Sequence, residues 1–329
     1  AKDIPSRQRN LLHEIRYYFE LINVVILCSI VAVIGIIANV INIIVFYRQG
    51  LNNTVNITLT GLAISDLCCL ITLLWYAICA SRVFEDHDVT IIPSEVQVLT
   101  AGWPRACFVR ITNWITVFIT AERCLCVIAP LTVKKILTPK RARIVIGFIY
   151  VITTLPLIPE YSTAYLDWKF VEGANRTLFG LKFADDRPQF EEWTSTIYFI
   201  YIFLAYFPLI FLTGVLIYKL KQKTKWRQKS TFDATQSEKI SSRDRKTINM
   251  VIAIAIVFIF CSATSVFIVT VSFFVPGFGI TGENTDLFFL IWSFGFLLEG
   301  LNASVDIILY YVMSSRYKRY LHELFNVNK

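Results

Sequence analysis

Residues Leu21–Phe46 read LINVVILCSIVAVIGIIANVINIIVF, a run without a charged side chain. A helix rising 1.5 Å per residue needs about 20 residues to cross the roughly 30 Å of bilayer hydrocarbon, and this run exceeds that length. Inside lipid every backbone N–H and C=O must be satisfied within the protein, so only helices and closed barrels span. A barrel would show alternating strands of ~10 residues; the continuity of this run predicts a helix. Six more blocks follow at Ile57–Cys79, Ala101–Ile128, Ile144–Tyr161, Ile197–Tyr218, Ile248–Val275 and Leu287–Met313. The third carries charges and the fourth is short. The expected fold is an all-α membrane protein, a seven-transmembrane helix bundle over residues 21–313. An extracellular segment, 1–20, precedes it, and a short cytoplasmic helix 8 with a tail, 314–329, follows. At 55% hydrophobic residues and a mean hydropathy of +0.57, the 329-residue chain is too apolar for soluble domains.

Helices that alternate in direction sort the connectors by charge. Those opposite the amino terminus hold Arg48, Lys134, Lys135, Lys140, Arg141, Arg143, ten bases from Lys219 to Lys246, and Arg316, Lys318, Arg319 and Lys329. These twenty bases face four acids, Asp233, Glu238, Asp244 and Glu323, whereas the other side has sixteen acids against nine bases. The positive-inside bias puts the basic side in the cytoplasm and the amino terminus outside a plasma-membrane, multi-pass protein. The net charge of +8 is then a topology signal that requires no nucleic acid, and the same bases suit anionic membrane lipids. The connector from Glu160 to Trp193 contains no cysteine, and most of the eight cysteines sit in apolar blocks, so no disulfide framework is expected. Asn175 heads an Asn-Arg-Thr sequon there and is the glycosylation candidate. Lys219–Lys246 reads as the polar linker, and its middle, KSTFDATQSEKISS, is expected to be mobile.

A charge at mid-membrane costs several kcal/mol, so ionisable residues within the blocks are functional candidates. They are Asp66, Arg105, Arg110, Glu122, Arg123, Glu299 and Asp306; those near the ends could instead snorkel to the headgroups.

Glu122-Arg123-Cys124 closes the third block. Here the chain resembles the rhodopsin-like (class A) G-protein-coupled receptors, whose third helix ends Asp/Glu-Arg-Tyr. Further landmarks carry the resemblance: Gly35 and Asn39; Leu62-Ala63-Ile64-Ser65-Asp66; Pro130; Pro208; Phe258 and Cys261; Asn302 with Asp306-Ile307-Ile308-Leu309-Tyr310; and Tyr317. It runs from about residue 31 to 324. The stretch WPRACFVRITNWITVFITAERCLCV is similar to invertebrate, molluscan, orphan chemosensory-type receptors. Departures are equally clear. Ser262-Ala263-Thr264 stands where the family has Trp-x-Pro, Ile307 replaces a proline, and Leu216 replaces the fifth-helix Tyr. Without the sixth-helix proline the usual cause of a bend is gone. Val98 stands where the third helix should begin with a disulfide-bonding Cys.

The resemblance implies roles by position. Arg123 pairs with Asp244 and Glu122 in the resting state and releases them to meet a heterotrimeric G protein; the alternative is that Asp244 only balances Arg243, Arg245 and Lys246 in solvent. Asp66, Asn39, Thr112, Asn302 and Asp306 map to the interhelical polar cluster, where Asp66 needs a proton, polar partners or a cation. A sodium ion would serve, or Asp66 and Asp306 could share one proton. Tyr310 is expected to hydrogen-bond or swing during activation; the alternative is a packing role alone. No other cofactor is implied.

Arg105, Arg110 and Glu299 map near the family's ligand pocket. Arg105 occupies the position of the amine-receptor Asp, which argues against biogenic amines. A guanidinium in a dry pocket suits a carboxylate, so the ligand is expected to be an extracellular small molecule, anionic or zwitterionic, or a peptide. The competing reading is an internal pair, Arg105–Glu299 or Arg110–Glu299. Gly300 stands where an opsin needs its Lys. His13, His87 and His322 lie outside the blocks, with no metal-ligand or nucleophile–base pattern and no Gly-rich phosphate loop, so no enzyme is expected. The alternatives to a signalling receptor are a transporter or channel, which lacks the usual paired repeats or broken helices here, and a receptor that binds without signalling.

Overall fold

The computed structural model describes residues 6–81, 89–172, 175–185, 187–229, 237–275, 277–279 and 282–325. Seven helices are long and apolar enough to cross a membrane: Leu11–Gln49, Thr54–Ala80, Pro93–Ile128, Pro139–Thr163, Trp193–Gln222, Lys246–Phe274 and Thr285–Met313. They are called the first to seventh helices. The first packs on the second and the seventh, the sixth on the fifth and seventh, and the third touches the second, fourth, fifth and sixth. The third is accordingly the most buried and the fourth and fifth the least. Phe211, Phe260 and Val312 stand 70–73% exposed on the outside of this ring. Apolar surface of that kind, repeated around the bundle, belongs against lipid. The chain is a multi-pass membrane protein.

Local chemistry sets the helix ends. Asn53 caps the second helix by accepting from Val55 N–H at 3.1 Å. Thr138 caps the fourth through Arg141 N–H at 3.4 Å, and Ser314 caps the terminal helix, Ser315–Leu324, through Tyr317 N–H at 3.2 Å. Each side-chain oxygen satisfies an N–H that has no partner in the first turn. Pro104 cannot donate to the turn before it. The third helix widens to a π turn over Val98–Gly102 immediately ahead of it. Gly35 lets the first and seventh helices close up, because a Cβ there would lie 2.1 Å from Ser304 Oγ.

Three boundaries differ from those the apolar pattern suggests. The first helix does not start at Leu21 but continues back to Ser6 through a π turn at Glu20–Cys28. Arg16 explains the extension: it donates to Asp286 Oδ1 at 2.9 Å on the seventh helix and to Glu20 Oε1 at 3.1 Å. The expected linker is partly helical, since the fifth helix extends through Lys229 and the sixth begins at Ser237; residues 230–236 lie outside the described residues. The sixth helix is continuous from Ser237 to Phe274, as expected without its proline.

The connector from the fourth helix to the fifth is not irregular. It folds as an antiparallel hairpin, β1 Ala164–Val171 and β2 Arg176–Phe183, with Ala164 opposite Phe183. Asn175 lies exposed at its turn with φ 47°. Lys182 Nζ at 2.7 Å, helped by the Trp168 N–H, holds the Asp167 carboxyl below the usual carboxylate range. That contact is complete above about pH 4 and fades as acid protonates the group.

The missing disulfide has a non-covalent replacement. All eight cysteines are free. Glu95, three residues before Val98, accepts from Lys169 Nζ at 2.7–2.8 Å and from Leu181 N–H at 2.8 Å. Thr90 and Ile92 add backbone hydrogen bonds to Phe179 at 2.7 and 2.9 Å. Gly180 makes room, because a Cβ there would lie 2.4 Å from Glu95 Oε2. Gly180→Ala and Glu95→Gln are each expected to weaken the hairpin's hold by about 1.5–3 kcal/mol, the worth of a hydrogen bond to a charged group. Amide exchange at Leu181 reads this out: it should quicken in both variants and stay unchanged on adding a thiol reductant.

Candidate functional site

The charged residues of the third helix face inward, each toward a different neighbour. Arg105 Nη1 donates to Glu299 Oε2 of the seventh helix in a close ion pair. The other Glu299 oxygen accepts from Ser265 Oγ of the sixth helix at 2.5 Å, and the Arg105 guanidinium lies 4.0 Å from the Phe296 ring centre. Arg105 is 3% and Glu299 8% exposed. Two buried charges are tolerable only when paired and hydrogen-bonded in this way. Of the two internal pairs the sequence allowed, Arg105–Glu299 forms. Arg110 instead lies 4.0 Å over the Tyr198 ring of the fifth helix, and its Nε is buried without a hydrogen-bond partner. No carboxylate lies at ion-pair distance from it among the described residues.

One turn deeper is the polar cluster. Thr112 Oγ1 donates to Asp66 Oδ1 at 2.7 Å and lies 2.9 Å from Ser65 Oγ. A cavity of about 20 Å³ is bounded by Asp66, Thr112, Asn113, Asn302, Cys261 and Glu299 among others, enough for a single water-sized occupant. Asp306 sits a turn further along, accepting from Tyr310 OH at 3.1 Å. Asn39 is turned to backbone, donating to Ala303 O at 2.7 Å and Gly35 O at 3.0 Å. Among the described residues no three His, Cys, Asp or Glu side chains gather as a metal centre. The oxygen donors facing the small cavity are of the hard kind that sodium takes, from Asp66, Thr112 and Asn302.

At the face that carries the carboxy terminus, Glu122 Oε1 accepts from Arg123 Nη2 at 2.7 Å and from Thr54 Oγ1 of the second helix at 2.6 Å. Glu122 Oε2 and Arg123 Nε are buried with no partner among the described residues. Both residues border a cavity of about 580 Å³ with Lys246, Arg316, Tyr310 and Tyr317. Tyr310 packs on Phe46 with ring centres 5.1 Å apart, and Tyr317 donates to Asn42 Oδ1 at 2.6 Å. Arg123 and Glu122 are thus in contact; the Asp244 side chain lies outside the described residues.

Several participants are invisible to motif reading. Ser265, Phe296, Tyr198 and Thr54 are ordinary residues in apolar or polar-poor helices, and only the crossing of helices reveals what they touch. Arg105 and Arg110 did carry a signal, since each buried charge requires something opposite it.

Compared with known families, residues 25–328 match the family described as Serpentine type 7TM GPCR chemoreceptor Srw. No curated protein matches the chain.

Removing one member of the Arg105–Glu299 pair leaves a charge alone in the bundle, at about 3–5 kcal/mol. Glu299→Gln and Arg105→Met should each lower the melting temperature of the purified protein, and the double variant Arg105→Met/Glu299→Leu should recover most of the loss. A double variant no more stable than the worse single one rules out the pair as their common cause.

Proposed function

The chain belongs to the serpentine 7TM chemoreceptor family of G-protein-coupled receptors, and from that premise we propose that it binds an extracellular ligand at the amino-terminal face and activates a heterotrimeric G protein at the other. The basic connectors at the carboxy-terminal face support the cytoplasmic orientation of that face and the plasma membrane as its location. The ordered landmarks from Gly35 to Tyr317 support kinship with the rhodopsin-like receptors, and the third-helix stretch supports a link to the molluscan chemosensory-type ones. The observation that carries the signalling reading is the Arg123–Glu122–Thr54 chain on the rim of the 580 Å³ cavity. Thr54 ties the third helix to the second, so its hydroxyl holds the pair closed. Purified receptor in nanodiscs with a panel of G proteins tests this by nucleotide exchange. Thr54→Val should raise basal exchange severalfold and Arg123→Ala should abolish it. Flux through the protein without G protein would favour a channel or transporter, and ligand binding without exchange on any G protein would leave a non-signalling receptor.

For the ligand, Arg105 is committed to Glu299 while Arg110 has no carboxylate at ion-pair distance among the described residues. Arg110 is therefore the group we assign to an anionic or zwitterionic ligand, including a peptide's terminus, with Arg105 and Glu299 shaping the pocket beside it. Asp66, Thr112 and Asn302 would hold a sodium ion in the resting state, with Asp306 hydrogen-bonded to Tyr310 nearby. Thermal stability in sodium should exceed that in equimolar N-methylglucamine, and Asp66→Asn should remove the difference. Equal stability in the two salts points to a protonated Asp66 instead. Asn175, exposed at the hairpin turn, is the glycan site of this reading.

A further inference from the structure

A second cavity, of about 460 Å³, opens at the amino-terminal face between the first, second, third and seventh helices. Its lining includes Arg16, Glu20, Tyr76, Cys79, Phe289 and Phe296. We propose that this cavity is a binding site for organic cations, ammonium compounds with an apolar or aromatic body.

Charge and ring chemistry both point there. Arg16 at the rim shows how the walls treat positive charge: its guanidinium is shared between Glu20 at 3.1 Å and Asp286 at 2.9 Å and lies 4.4 Å over the Phe289 ring. Two carboxylates face that one guanidinium, with His13 Nδ1 3.2 Å from Asp286 as their further neighbour. Arg16, Glu20 and Asp286 together carry one negative charge. Only one Glu20 oxygen is engaged by Arg16, and the side chain is 32% exposed, on the cavity's edge. Tyr76 and Phe296 pack edge to face with ring centres 4.8 Å apart, adding π surface of the kind that holds ammonium groups. The sixteen acids and nine bases on this side of the chain add a field of the same sign.

The floor connects the cavity to the core. Phe296 lines it and carries the Arg105 guanidinium at 4.0 Å, and Arg105 leads through Glu299 to Ser265 on the sixth helix. A ligand resting on Phe296 therefore bears on the contact between the sixth and seventh helices.

Cys79, a free thiol in the lining, is the reporter. The full chain in nanodiscs, which leaves both faces accessible, is treated with methanethiosulfonates bearing trimethylammonium or sulfonate, and modification at Cys79 is followed by peptide mass spectrometry. The cation-to-anion rate ratio, divided by that of a free thiol, is expected to be about fivefold or more, from the focusing of one excess charge in a cleft. Glu20→Gln should bring it close to unity. Benzyltrimethylammonium should slow the labelling and benzoate should not. Ser94→Cys at the exposed edge of the cavity gives a shallower reporter with the same expectations. No labelling at either position, a normalised ratio at or below one, or equal protection by benzoate overturns the proposal. None of these readouts depends on G-protein coupling.

Discussion

A charge inside a bilayer must meet a partner, and in this protein the third helix holds most of the charges. Arg105, Arg110, Glu122 and Arg123 lie along the most buried of the seven helices. Each recruits a different neighbour: Arg105 the seventh through Glu299, Arg110 the fifth through Tyr198, and Glu122 the second through Thr54. Ser265 brings in the sixth by hydrogen-bonding Glu299. Apolar packing alone is weakly specific between helices in lipid, because tails are as apolar as leucine. These polar contacts set which helix stands where and at what depth.

The same contacts divide the bundle into levels that share residues. Phe296 separates the amino-terminal cavity from the Arg105–Glu299 pair, and Glu299 also borders the small cavity beside Asp66. Asp306 and Tyr310 continue toward the Phe46–Tyr310–Tyr317 aromatic cluster that edges the large inner cavity. The path is a row of physical contacts. Coupling along it requires that one of them have two arrangements, and the Glu122–Arg123 pair, with one carboxylate oxygen and one guanidinium nitrogen unpartnered among the described residues, is a candidate for that part.

Hydrophobic runs made the spans legible, because a helix in lipid must be apolar along its whole length. What exceeds the oil was not legible. The backward extension to Ser6 depends on Arg16 reaching Asp286, some 270 residues away in sequence. The hairpin escapes a pattern reading because β1, AYLDWKFV, is mixed in polarity and β2 is held by Glu95 of the third helix and by Thr90–Ile92 before it, all far off in sequence. In the site, buried charges announced themselves, so Arg105, Arg110 and Glu299 could be named and an internal pair foreseen. Which arginine Glu299 would choose turned on helix rotation, a property no local pattern encodes.

The Glu95 attachment changes what holds the hairpin to the third helix. A sulfur bridge holds a cover in place until a reductant arrives, whereas a carboxylate held by one ammonium and one amide can let go and re-form within thermal time, and surrounding electrolyte competes for it. The Lys169–Glu95 part of this attachment therefore weakens as ionic strength rises, while the backbone bonds from Thr90 and Ile92 to Phe179 are untouched by it.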